Sequence, residues 1–164
     1  IEDARMRTNS GCHWLAIPGR EYSMMDCVKI NFSVVLDIAL REAVEKCGEP
    51  SIDQILDLYT AHLRIAIQTL AKGFDFHYDN QIRNVPELPL DLMCHGTIEK
   101  GLDASGGGVE HYLWCIDGSA LAVAADSLAA IRQRVLREHR FTYAQLLHYL
   151  DTNWEGPEGE RARL

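Results

Sequence analysis

Cys12 lies between Gly11 and His13 in a stretch without sustained periodicity. A protonated imidazole beside a thiol lowers its pKa and exposes a nucleophilic sulfur. Neighbours along a chain often point apart, so the pair alone does not name a partner for Cys12. A second constellation is Cys94-His95 followed by His111-x3-Cys115. It holds four residues of the types that bind structural zinc. The spacing is not a common ligand arrangement, and an adjacent Cys-His pair rarely turns both side chains to one ion, so no metal site is expected. Gly106-Gly107-Gly108 resembles a phosphate loop only in composition. It lacks the following Lys-Ser/Thr and precedes a strand-like run, so it reads as a permissive turn. Cys27, Cys47 and Cys115 sit in or beside apolar segments and read as small buried hydrophobes.

The elements that must position these groups are mostly helical. Residues 1–23 read as a loop, with Asn9-Ser10-Gly11 and Pro18-Gly19 as turn signals. Residues 24–47 read as a helix, apolar almost all round and so buried on most sides. Gly48 and Pro50 stop it. Ser51 and Gln54 make a capping box for a second helix, which Gly73 ends or weakens. Residues 74–108 read as irregular, and a loop that long is commonly functional. A strand is expected over 109–116 and a third helix over 119–137. A short helix follows, opened by the capping box Thr142–Gln145, and then a frayed tail from Glu155. One lone strand cannot satisfy its own backbone, so the single unit looks incomplete.

Composition narrows the function classes. The 164 residues are 47% hydrophobic and 24% charged, ordinary for a globular chain rather than a disordered or collagen-like one. A net charge of −8 argues against a nucleic-acid binder. No apolar run reaches the roughly 18 residues of a membrane helix. Five scattered cysteines, an odd number, fit a reducing compartment better than a disulfide framework. The chain begins at Ile1 without Met or a signal-peptide pattern.

One stretch is far more specific than the rest. Pro89-Leu-Asp-Leu-Met-Cys-His-Gly-Thr-Ile-Glu-Lys-Gly-Leu-Asp-Ala-Ser-Gly-Gly-Gly-Val-Glu-His-Tyr112, followed by Asp126-Ser-Leu-Ala-Ala-Ile-Arg-Gln-Arg-Val135, resembles the glycyl radical enzymes, the superfamily of pyruvate formate-lyase. Gly11-Cys12 sits where that family carries its thiyl cysteine, and residues 9–155 carry the resemblance. It implies an α/β fold: a mostly helical fragment of the family's ten-stranded α/β barrel. Residues 1–164 are then one partial catalytic-barrel segment, running from the thiyl-cysteine loop to a point before the C-terminal glycyl radical domain. The family's Arg-Val-x-Gly loop has no counterpart here, so the implied glycyl radical lies outside this chain. The isolated segment is expected to be inactive.

The resemblance also implies roles. Cys12 is the thiyl position. Many members carry Cys-x-Glu there, but this chain has Cys12-His13-Trp14. His13, Glu21 or Glu99 must then supply the acid or base. Trp14 and His95 are the expected substrate contacts, and the aromatic Trp14 tilts the reading toward C–C cleavage of a small carboxylate by a decarboxylase-like lyase. A diol- or hydroxyproline-type dehydratase is the alternative, as is a non-catalytic helical interaction module derived from the family. The implied partners are a small-molecule substrate, a radical S-adenosylmethionine activating enzyme, the rest of the parent polypeptide and a second subunit in a homodimer. No nucleic acid or membrane is among them. The implied setting is an anaerobic cytoplasm.

Overall fold

The computed structural model describes residues 2–10 and 14–163; for Ser10, Trp14 and residues 24–27 it describes the backbone alone. The elements in order are α1 (Glu2–Met6), β1 (Thr8–Ser10), β2 (Trp14–Ala16), β3 (Glu21–Asn31), α2 (Phe32–Cys47) and α3 (Ile52–Asn84). Then come α4 (Leu88–Asp91), α5 (Thr97–Lys100), a 3-10 turn at Ala104–Gly106, β4 (His111–Ser119) and α6 (Leu121–Ala130). A π-helical stretch at Ile131–Arg137 follows, then α7 (Tyr143–Asp151) and α8 (Gly156–Arg163).

Two compact units result: residues 1–29 with 68–117, and residues 30–67 with 118–164. The second is a helical unit. Asn31 opens α2 by accepting the N–H groups of Ser33 at 3.1 Å and Val34 at 3.3 Å. Leu36, Leu40 and Ala43 then share a stripe at helical spacing and pack with Ile55, Ala124, Ile131, Val135, Tyr143 and Leu146. Both expected capping boxes are present. Ser51 with Gln54 opens α3, and Thr142 with Gln145 opens α7.

The first unit is built around strands. β1 and β2 pair antiparallel, Thr8 opposite Ala16 and Ser10 opposite Trp14. β3 and β4 are hydrogen-bonded neighbours. The start of β4 meets the start of β3, because the His111 N–H donates to the Arg20 carbonyl at 3.1 Å. The end meets the end, with Ser119 Oγ donating to the Ile30 carbonyl at 3.4 Å. The pair is therefore parallel, which demands the long helical crossover that α2 to α5 supply.

Several expectations are corrected. The expected helix over 24–47 begins only at Phe32; β3 precedes it. Met24, Met25, Val28 and Ile30 of β3 fit a helical stripe as well as a strand, and so short an apolar set does not separate the two by periodicity. Gly73 does not end α3, which continues to Asn84. Its later turns are held by ring contacts to β4, where Phe74 and Tyr78 lie 4.7 and 4.2 Å from Trp114 between centroids. Residues 74–108 are accordingly not irregular throughout. There are four described strands rather than one, and the tail from Gly156 is helical.

Candidate active site

A parallel pair places residues of one register on the same face and alternates faces along each strand. The face toward α3 carries Tyr22, Tyr112 and Trp114. Tyr78 of α3 meets these rings with centroids 6.4, 5.4 and 4.2 Å away. Burial pushes the Tyr22 phenol up to about 12, and its hydroxyl donates to Glu87 at 3.0 Å. Gln81 donates to the same Tyr22 oxygen and to Glu87.

Behind this cluster lies the glycine-rich loop. Burial raises the Asp103 carboxyl, but donors from Ser105, from its backbone and from the Glu87 N–H outweigh burial and hold it below the usual carboxylate range. Tyr112 Oη accepts from the Gly107 N–H at 2.8 Å and donates to the Ala104 carbonyl at 2.8 Å. Lys100 Nζ donates to the Gly108 carbonyl at 2.9 Å. The glycine run is thus a packed turn with Gly107 at φ +104°.

The opposite face of the pair is open. Glu21 and Ser23 on β3 and His111 and Leu113 on β4 alternate onto it. Here lies a cavity of about 510 Å3 lined by Glu21, His111, Leu113, Leu15, Ile17, Asp3 and Arg7. Glu21 is held in place by two donors, the Ile17 N–H at 3.2 Å on one oxygen and the Ser23 hydroxyl on the other. Arg20 binds Asp3 and Glu110, which ties α1 to the start of β4. A second, apolar cavity of about 470 Å3, in the helical unit between α2, the π-helical stretch and α7, contains none of the expected site residues.

The expected residues fall as follows. Cys12 and His13 lie outside the described residues, between the paired positions Ser10 and Trp14. For Trp14 only the backbone is described. Glu21 lines the cavity that begins at Leu15, directly after Trp14. Glu99 closes the first turn of α5, accepting the Gly96 N–H at 3.0 Å. His95 sits against the Pro18-Gly19 turn, its N–H donating to the Gly19 carbonyl at 2.7 Å. The structure therefore does not bring Glu99 and His95 to the cavity of Glu21. Cys94 packs with Tyr22, Ala104 and Val109, and burial pushes its thiol up. Among the described residues no three His, Cys, Asp or Glu side chains converge on a metal position.

His111 was singled out by sequence only as a metal-ligand type. Its place beside Glu21 depends on strand register across 90 positions. Alternation puts His111, Leu113 and Cys115 on one face of the expected strand, but it does not say which strand lies beside that face.

Comparison with known proteins completes the description. The family model for pyruvate formate lyase-like proteins matches residues 1–164. Trans-4-hydroxy-L-proline dehydratase of Clostridioides difficile is 26% identical over 96% of this chain, and (2S)-3-sulfopropanediol dehydratase of Klebsiella oxytoca is 24% identical over 96%. The chain spans only 22% and 21% of those relatives. Among solved structures, that of 1,2-propanediol dehydration in Roseburia inulinivorans superposes with a TM-score of 0.81 at 23% identity, covering 99% of this chain and 22% of the other. The B12-independent glycerol dehydratase of Clostridium butyricum gives 0.77 at 22% identity, covering 92% and 21%. These likenesses establish the fold as a mostly helical α/β segment of the glycyl radical enzyme barrel. The named relatives are dehydratases, which backs that alternative better than the decarboxylase reading. Matched along its whole length, the chain belongs to the pyruvate formate lyase-like family of glycyl radical enzymes.

Proposed function

We propose that this chain is the thiyl-cysteine segment of a glycyl radical dehydratase, a lyase that removes water from a small hydroxylated substrate. The observation that carries the reading is the dehydratase relatives aligned over 96% of the chain. The cavity of Glu21 suits such a substrate. Leu15, Ile17 and Leu113 give it an apolar wall, while Glu21, His111 and Arg7 give it polar corners.

The radical of this family supplies reversible hydrogen-atom abstraction, and Cys12 is the residue of this chain that fits its relay. β1 and β2 bring the two flanks of residues 11–13 together, and the cavity opens beside β2. The apolar wall of Leu15, Ile17 and Leu113 suits that chemistry, because water and stray donors quench reactive intermediates. Glu21 is the better candidate base than Glu99. It faces the cavity on a rigid strand, whereas the Glu99 carboxylate serves the α5 N-terminus. His13 remains the other proton-handling candidate, and Trp14 remains a candidate substrate contact; His95, set against the Pro18-Gly19 turn, is not proposed for this cavity. A radical S-adenosylmethionine activating enzyme, the rest of the polypeptide, a homodimeric partner and an anaerobic cytoplasm complete the proposal. No described helix is long and apolar enough to cross a membrane.

The test uses the complete protein treated anaerobically with its activating enzyme. Electron paramagnetic resonance should show a glycine-centred doublet, and incubation with 1,2-propanediol, glycerol or trans-4-hydroxyproline should give a dehydrated product. A doublet with carbon dioxide release from arylacetates and no dehydration would restore the decarboxylase reading. No doublet would overturn both. Cys12→Ser should retain the doublet and lose all turnover.

A further inference from the structure

Glu21 and His111 stand side by side although 90 residues separate them. The His111 N–H bonds the carbonyl of Arg20, the residue before Glu21. In a parallel ladder that bond puts His111 in register with Glu21, both side chains on one face of strands about 4.8 Å apart. Both line the same cavity, whose nearest wall residue on β2, Leu15, is three positions from Cys12. His111 is exposed on that open face. The arrangement offers a carboxylate and an imidazole to one small molecule.

We propose that His111 is the proton donor of this site, acting with Glu21 as the pair that replaces the missing Cys-x-Glu carboxylate. The inference rests on the dehydratase reading above. In a dehydration the two groups divide the proton work. Glu21 takes the proton of the hydroxyl whose carbon becomes the carbonyl. The imidazolium of His111 gives a proton to the neighbouring hydroxyl as its C–O bond breaks, and the bonding pair leaves with the oxygen as water. The proton on Glu21 then returns to His111, so no net proton is consumed. The hydrogen atom taken from the substrate is given back to the product, and the overall step is redox-neutral. Imidazole suits the donor role because its ordinary pKa lies near neutrality.

The charged groups around His111 are Glu21 on β3, Asp3 and Arg7 from the α1 segment, and the preceding Glu110. Glu110 and Asp3 are both engaged by Arg20. Glu110 also feels the His111 charge, while Glu21 is the carboxylate in register with His111 on the cavity face.

The experiment uses the complete, activated protein with 1,2-propanediol as probe. His111→Gln should keep the glycine-centred doublet and lower kcat about 100-fold or more, the range expected for a lost general acid. The wild-type profile of kcat should fall on the alkaline side as the imidazolium is lost, and this limb should be absent in His111→Gln. His111→Ala should regain part of its rate with free imidazole, which a packing role would not allow. In the unactivated protein, calorimetric binding of 1,2-propanediol should carry a proton-linked heat that varies with buffer in the wild type and vanishes in His111→Gln. Wild-type kcat with an unchanged pH profile in His111→Gln would overturn the proposal and leave the dehydratase reading standing. A wild type that forms the doublet but dehydrates no diol or hydroxyproline would overturn that reading and this proposal with it.

Discussion

At the scale of single residues, a carboxylate is defined by what already binds it. Glu99 and Glu21 look alike in the sequence, each a glutamate near a glycine. In the structure Glu99 accepts the Gly96 N–H at the start of α5, while Glu21 stands on the cavity wall and accepts from the Ile17 N–H and the Ser23 hydroxyl. Glu99→Ala should therefore cost stability, about 1 kcal/mol as for a lost capping contact, and leave turnover per folded molecule unchanged. Glu21→Gln should do the reverse, with kcat falling while the chemical-denaturation midpoint holds. If Glu99→Ala lowers kcat and spares the midpoint, the two assignments are exchanged. Glu21 was legible as a candidate because the sequence brings it within nine residues of Cys12. His111 was not, since only strand register makes it a neighbour and no local spacing encodes register.

The elements show where sequence patterns mislead. β3 passes into α2 with no glycine or proline between them, and the local mark of the joint is Asn31, whose side chain takes two N–H groups at the helix start. Gly73 looks like a stop but lies inside α3. Nothing lies within 4 Å of where its Cβ would stand, so Gly73→Ala should stabilise the chain by about 1 kcal/mol in chemical denaturation. A loss would mean that the helix breaks there after all. Gly96 is the opposite case, with φ +97° and a Cβ position only 2.7 Å from the Gly108 carbonyl oxygen. Its alanine variant should unfold the 96–108 loop. Asp103 in that loop adds a pH dependence. Its native pKa is depressed by hydrogen bonds, so its stabilisation is present above the ordinary carboxylate value, roughly 4, and is lost as pH falls through the lower native value. Stability measured between pH 5 and pH 2 should fall less steeply in Asp103→Asn than in the wild type. An equal slope would mean the carboxylate titrates the same folded and unfolded.

For the molecule as a whole, the informative surface is the one left uncovered. Leu88, Leu92, Met93 and Ile98, all in the 88–98 segment, are each 65% exposed or more. Monomeric globular proteins rarely cluster large apolar side chains this way without something to cover them. The chain spans only about a fifth of its dehydratase relatives, and on the reading proposed above the cover is the rest of the barrel. Substitutions on this surface should then have opposite signs in two contexts. Replacing Leu92 and Met93 by Glu and Lys should reduce self-association of the 164-residue chain, read as a smaller sedimentation coefficient, without lowering its helix content. In the complete protein the same pair of substitutions puts two charges into an interface without partners. The expected result there is a Tm lower by several degrees, or failure to assemble. If the complete protein tolerates both charges without change, the 88–98 surface faces solvent there, and the proposed barrel closes along some other edge of this segment.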